Sequence, residues 1–74
     1  MKDEILDLLN EINPDADFEN SEDFIDEALI DSYGMIELVE ALEDKYEIEI
    51  DGMDIIPENF KSLETICELV NKSM

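Results

Sequence analysis

Three stretches of this chain repeat apolar residues at helical spacing, and that repetition limits what the chain can fold into. Ile5, Leu8, Leu9 and Ile12 fall at i, i+3, i+4 and i+7, with Leu6 beside them. Leu38, Val39, Leu42 and Tyr46 form a second stripe. Leu63, Ile66, Cys67 and Val70 form a third. A one-sided helix must bury its stripe against another element, and short helices are marginal alone in water. Three such stripes in 74 residues predict a single all-α domain over residues 1–74, a small helical bundle.

The boundaries have local signals. Asp3 and Glu4 sit in the first turn of the first helix, where the helix dipole favours negative charge. Asn13-Pro14 ends it. The second helix is expected from Ser32 to Tyr46, with Asp31 or Ser32 as its N-cap. Met35 and Ile36 lie near its start and are expected to be half buried. The last helix starts at Ser62, a suitable cap, and places Lys72 at its favourable C-terminal end.

Between the first and second helices no long period holds. Phe18, Phe24, Leu29 and Ile30 are too apolar for a free linker, so an ordered loop pinned to the core by these side chains is predicted. Asn20 or Ser21 is expected to cap a short turn carrying Phe24 and Ile25. Loops of this length within compact domains are uncommon and often functional. Ile48-Glu49-Ile50 alternates like a strand, but three residues cannot make a sheet alone, so it is read as an extended link. One short helical turn is expected around Pro57-Glu58-Asn59. The expected fold is therefore a four-helix bundle, three main helices plus one short one, with a long first loop.

Charge narrows the function. Four basic residues against 23 acidic ones give −19. Yet 45% of residues are hydrophobic, unlike a disordered acidic tail. Such a field repels nucleic acid and anionic membranes and attracts proteins with basic patches. No apolar run approaches transmembrane length. Met1-Lys2-Asp3-Glu4 lacks the pattern of a signal peptide. Cys67 is the sole cysteine, which excludes an intramolecular disulfide and fits a cytoplasmic location. So small a domain cannot readily enclose a deep substrate cavity and keep a full core.

Asp31-Ser32 sets one hydroxyl at the front of the second helix. A serine nucleophile needs a base, usually His and sometimes Lys. The chain has no His, and Lys2, Lys45, Lys61 and Lys72 are all distant from Ser32 in sequence. Ser32 therefore reads as a residue that another protein modifies rather than as a catalyst. Unpaired N–H groups at a helix start, with the dipole, favour an attached phosphate. A plain capping role for Ser32 stays open on spacing alone.

Leu29-Ile30-Asp31-Ser32-Tyr33, leading into Ile36-Glu37-Leu38-Val39-Glu40-Ala41-Leu42-Glu43, resembles the acyl carrier proteins and peptidyl carrier domains. The resemblance continues through Tyr46-Glu47-Ile48-Glu49-Ile50 and Pro57-Glu58-Asn59-Phe60-Lys61-Ser62-Leu63, and so covers nearly the whole chain. It implies a four-helix carrier, not an enzyme. Its Asp-Ser serine, here Ser32, holds 4′-phosphopantetheine through a phosphodiester, and the arm's thiol carries an acyl or aminoacyl group as a thioester. The family's acidic recognition helix matches Glu37, Glu43 and Asp44. Two departures stand out: Ile30 where many acyl carrier proteins have Gly, and Tyr33 where many have Leu. Ile30-Asp31-Ser32 and Pro57-Glu58-Asn59-Phe60 are somewhat similar to D-alanyl carrier proteins and other stand-alone carriers.

Partners implied by this resemblance are a phosphopantetheinyl transferase and loading or acyl-using enzymes with basic docking patches, approached by a monomer. Asp31 is expected to support the site by helping to place Mg²⁺ during transfer, since carboxylates and substrate phosphates commonly hold that ion together. Glu37, Glu43 and Asp44 are candidate docking charges, against the alternative of a solvated face. Met35 and Ile36 are candidates for the apolar centre of the same interface, against ordinary core packing. Cys67 reads as a buried structural thiol. Asp15-Ala16-Asp17 and Asp51-Gly52-Met53-Asp54 lack the EF-hand ligand series, so only diffuse cation binding is expected. The competing readings are a small acidic interaction module and a divalent-cation buffer, neither with a covalent cofactor.

Overall fold

The computed structural model describes all residues from Met1 to Met74. Its helices are α1 (Lys2–Ile12), α2 (Ser32–Tyr46) and α3 (Leu63–Ser73). Two 3₁₀ turns, Gly52–Asp54 and Pro57–Asn59, lie between α2 and α3. No strand is present. α1 packs against both other helices. The radius of gyration is 10.9 Å.

Each helix buries the stripe that its sequence displays, with adjustments. α1 buries Ile5 and Leu9 and half-buries Leu8 and Ile12. α2 buries Met35, Leu38, Val39 and Leu42, while Tyr46 is half-buried. α3 buries Ile66, Leu69 and Val70, with Leu63 and Cys67 at the edge of the core. Leu69 extends the third stripe beyond the residues chosen by spacing, because α3 is flanked on two sides, by α1 and by the Pro57–Asn59 turn.

The helix ends behave as their residues dictate. α1 stops at Ile12, and Asn13 precedes Pro14 with an extended φ of −139°. Ser62 caps α3 in a reciprocal capping box. Its hydroxyl accepts from the Thr65 N–H, and the Thr65 hydroxyl oxygen accepts from the Ser62 N–H. Glu47 closes α2 in the left-handed region, φ 53°.

The long first loop is ordered by its aromatic residues. Phe18 and Phe24 are buried and meet edge to face, with ring centroids 5.1 Å apart. Ile30 is buried and Leu29 half-buried, as expected. The Phe24 N–H donates to the Lys61 carbonyl at 2.7 Å, which ties the loop to the entry of α3. The cap of the short turn is Asp23, not Asn20 or Ser21. The Asp23 carboxylate accepts from the N–H groups of Ile25 and Asp26, both at 3.0 Å. Ser21 instead donates its hydroxyl to Glu27 at 2.8 Å.

The expected fourth helix is not an α-helix. Around Pro57 the bonds run three residues back, from Asn59 to Ile56 and from Phe60 to Pro57. Pro57 contributes no N–H, Ile56 before it is extended, and the Asn59 side chain donates to the Asp54 carbonyl. Without an apolar stripe of helical period, nothing favours extending so tight a turn. The bundle therefore has three helices and two 3₁₀ turns. Ile48–Ile50 forms no strand and links α2 to the first 3₁₀ turn without regular secondary structure. Ile50 is buried there, and its N–H donates to the Glu43 carboxylate at 2.9 Å.

Candidate functional site

The Leu29–Gly34 segment crosses from the long loop into α2 and is fixed from both sides. The Asn13 side-chain amide, just past α1, donates to the Leu29 carbonyl at 3.0 Å. Ile30 anchors the segment in the core. The Asp31 carboxylate accepts from the Gly34 N–H at 2.7 Å, and its carbonyl accepts from the Met35 N–H at 2.9 Å. Asp31 is thus the N-cap and Ser32 the first helical residue. Gly34 permits this close approach. A Cβ there would lie 3.3 Å from Asp31 Oδ1 and 3.3 Å from Ile30 Cγ2, tighter than ordinary contact.

Ser32 differs from the other serines of the chain. The Ser21 hydroxyl donates to Glu27, Ser62 caps α3, and the Ser73 hydroxyl donates to the Leu69 carbonyl at 3.0 Å. All three are partly buried. Ser32 is exposed, and its hydroxyl makes no hydrogen bond within the chain. The N–H groups of Ser32 and Tyr33 also have no acceptor within the chain. The first turn of α2 carries no acidic side chain, whereas Asp3, Glu4 and Glu64 occupy those of α1 and α3. Two free N–H donors and a free hydroxyl therefore share one helix end that a phosphate could approach. No basic side chain forms a bond or ion pair with Ser32.

The other candidates divide by burial. Met35 is 7% exposed and belongs to the core, not to a half-buried rim, because its position faces the same way as Leu38 and Leu42. Ile36 is 50% exposed. Tyr33, singled out only as a departure from the usual residue, is 73% exposed beside Ser32. Glu37 and Asp44 are exposed, and their carboxylates make no hydrogen bond within the chain. Glu43 is half-buried and holds the Ile50 N–H.

Gly34 was the residue that sequence reasoning passed over. Glycine is a poor choice inside a helix, so its presence one turn after a cap signals a close approach.

Cys67 is half-buried and free rather than fully enclosed, and burial pushes its thiol above the usual range. Lys2 and the N-terminal ammonium only partly oppose that. Three acids of the two stretches expected to bind cations only diffusely have partners within the chain. Asp17 accepts from the Asn20 amide at 2.7 Å, Asp51 from the Met53 N–H at 2.9 Å, and Asp54 pairs with Lys72 at 3.1 Å. No cluster of three or more potential metal ligands exists. No helix is long and apolar enough to cross a membrane.

A family model described as the phosphopantetheine attachment site matches residues 2–70. No curated protein and no solved structure matches the chain. The match spans nearly all of the three-helix bundle, so the chain belongs to the phosphopantetheine-attachment family, non-catalytic carrier domains in which 4′-phosphopantetheine is attached covalently to a serine.

Proposed function

We propose that Ser32 is the attachment residue, and that residues 1–74 form one carrier unit presenting an acyl or aminoacyl group to successive enzymes. The observation that carries this is the state of the four serines: Ser32 alone has an exposed hydroxyl free of any internal hydrogen bond. The residues fit the group. The free N–H groups of Ser32 and Tyr33 suit the phosphodiester oxygens, and the first turn of α2 adds no acidic side chain, although the Asp31 carboxylate at the cap partly opposes them by charge. Asp31 supports the site by spending one carboxylate oxygen on the Gly34 N–H, which partly offsets its charge and fixes the backbone at Ser32. Its other oxygen has no partner within the chain, which leaves it for a Mg²⁺ ion held jointly with a transferase. When bound, the group supplies a thiol on a flexible arm, able to hold cargo as a thioester.

The chain supplies the acceptor hydroxyl but no histidine, so the base that takes the hydroxyl proton belongs to the phosphopantetheinyl transferase. Exposed Glu37 and Asp44, with Tyr33 and Ile36 between charge and tether, form the face proposed to meet a basic patch on that enzyme and on the enzymes that load or use the cargo. A monomer in a reducing cytoplasm suits the single half-buried cysteine.

Incubation with coenzyme A and a phosphopantetheinyl transferase tests this directly. Intact mass should rise by one phosphopantetheine, peptide mapping should place it on Ser32, and Ser32→Ala should stay unmodified. Modification persisting on Ser32→Ala would move the tether elsewhere. No gain on the wild type, under conditions that modify a control carrier, would return the chain to the class of acidic interaction modules.

A further inference from the structure

A groove of about 220 Å³ runs between the end of α1 and the side of α2 that carries Tyr33, Gly34 and Glu37. Its lining is rich in hydrogen-bond acceptors. The Glu37 carboxylate has no partner within the chain, and the Asp31 carboxylate has one oxygen left over after the Gly34 N–H. Asn13 also lines the groove, and its side-chain N–H goes to the Leu29 carbonyl, which leaves its amide oxygen as a further acceptor. Ile12 supplies an apolar wall, and the Tyr33 side chain is 73% exposed with its hydroxyl unbonded. No basic side chain lines the groove. We propose that it receives an arginine side chain of the phosphopantetheinyl transferase. The inference deepens the reading of α2 as a docking face and rests on Ser32 as the acceptor.

A cationic donor for this groove has to come from another molecule. The basic side chains of the chain are all lysines: Lys45 pairs with Glu4, Lys72 pairs with Asp54, and neither Lys2 nor Lys61 lines the groove. The lining suits a guanidinium better than an ammonium. Tyr33 and Glu37 are four residues apart on α2 and so are surface neighbours, about 5–6 Å between Cβ atoms. A planar guanidinium can lie on the ring face and direct its fork of N–H donors at the Glu37 carboxylate. Its remaining donors can meet Asp31 or Asn13, and its methylenes can lie along Ile12. An ammonium is a compact, strongly hydrated charge and gains less from ring and wall. The start of α2 opposes a cation with about half an elementary charge. Asp31 and Glu37 each bring a full negative charge, so attraction wins.

The source of the arginine follows from reach. A protein interface of ordinary size covers about 800 Å² of each partner. The whole accessible surface here is 4710 Å², and the longest extent of the molecule is 28 Å. A helix with its side chains is only about 10–12 Å across. Ser32 and Glu37 lie on different sides of α2, yet an enzyme that takes the Ser32 hydroxyl into its active site covers both. Asp31 and Tyr33, which flank Ser32 in the chain, line the groove and bring it within that footprint.

The first test uses apo protein and does not depend on modification of Ser32. N-acetyl-arginine amide, N-acetyl-lysine amide and MgCl₂ are titrated separately at constant ionic strength and followed by NMR. The arginine probe should shift Ile12, Asn13, Tyr33 and Glu37 along one saturating curve and bind more tightly than the lysine probe. Glu37→Gln and Tyr33→Leu change exposed side chains, with circular dichroism as the folding control. Each should weaken arginine binding by about threefold, whereas Glu40→Gln, an exposed carboxylate outside the groove, should not. With the transferase and coenzyme A, Glu37→Gln and Tyr33→Leu should each raise KM by about threefold or more, the loss falling on KM rather than kcat. Shifts spread over every carboxylate, an equal response to arginine and lysine, or an equal loss in Glu40→Gln would overturn the socket. So would Mg²⁺ that shifts the same residues and displaces the arginine probe. Localised arginine binding with KM unchanged in both variants would overturn the transferase as the source. No modification of the wild type would overturn Ser32 and the transferase together, and the apo titration would still decide the chemistry of the groove.

Discussion

Ala28 has φ of 59°, a left-handed backbone that a side chain disfavours. It closes the single turn that Asp23 opens. The Leu29 N–H reaches back to the Phe24 carbonyl at 2.8 Å, and the Ala28 N–H to the Ile25 carbonyl at 3.0 Å, the paired bonds of a Schellman ending. Glycine is the usual residue there. The left-handed region costs an L-residue about 1–2 kcal/mol. Glycine's extra freedom in the unfolded chain returns about 0.4–1 kcal/mol of that. Ala28→Gly should therefore stabilise by about 0.5–1 kcal/mol and raise Tm by several degrees. Ala28→Val should lower it. A melt showing no gain for glycine would mean that the turn relaxes the backbone at Ala28. Glu27, one residue earlier, predicts a pH effect. The Ser21 hydroxyl first, then the N–H groups of Asp23 and Glu22, hold its carboxyl below the ordinary glutamate value. These bonds are complete above the unfolded value and are lost as pH falls through the lowered folded value. The Glu22 and Asp23 amide shifts should follow one acidic midpoint below that of glutamate in an unstructured peptide, and Glu27→Gln should abolish the transition. An ordinary midpoint would show that the bonds are not held in solution. Neither feature was legible beforehand. The bonds of Asp23 and Glu27 lie around the buried Phe24, in a loop whose path no sequence period announces. Conversely, Asp31 and Ser32 were equal candidates for the α2 cap until the Asp31–Gly34 bond separated them.

At the scale of the helix, periodicity made α1, α2 and α3 readable, because each stripe has one physical use. The short turn at Pro57–Asn59 was legible in place, though its 3₁₀ character was not, and the Gly52–Asp54 turn, capped by Asp51, was not foreseen. The acidic face of α2 was legible as charge, but its division of labour was not. Glu43 is separated by seven residues from the Ile50 N–H that it holds, and no spacing rule announces that bond. The division yields a prediction. Glu43→Lys leaves a half-buried N–H without its acceptor, which costs about 1–3 kcal/mol. Glu37→Lys and Asp44→Lys change exposed positions and should stay within about half a kcal/mol of wild type. If Glu37 and Asp44 meet basic residues of a transferase, both variants should be modified more slowly at low salt, with the difference shrinking as salt rises. Folded variants modified at the wild-type rate at low salt would reject this face as the docking surface for that enzyme. The assignment of Ser32 would be untouched, since it rests on the free hydroxyl.

The whole molecule carries a charge of −19 within a radius of gyration of 10.9 Å. That radius is close to the Debye length of about 10 Å at 0.1 M salt, so below this ionic strength carboxylates on opposite faces still repel one another. Only three ion pairs offset the repulsion: Glu4 with the N-terminal ammonium, Glu4 with Lys45, and Asp54 with Lys72. All are at least partly exposed, and such pairs contribute about 0–1 kcal/mol each. Dissolved cations should therefore supply stability that the chain does not supply itself. Raising MgCl₂ or CaCl₂ in a buffer of low ionic strength should raise Tm toward a plateau. The absence of any ready cluster of three metal ligands sharpens the expectation. Mg²⁺ and Ca²⁺ should act alike at equal concentration, despite their different demands for coordination geometry, and enough NaCl should approach the same plateau by screening. A flat response would show that the carboxylates are already spaced or hydrated well enough not to oppose folding. A saturable effect of Ca²⁺ that Mg²⁺ and Na⁺ cannot match would instead reveal a specific site assembled on binding. Running the series on apo and holo protein adds a further check. The phosphodiester brings one more negative charge to the start of α2, so the holo form should gain at least as much from added cations as the apo form.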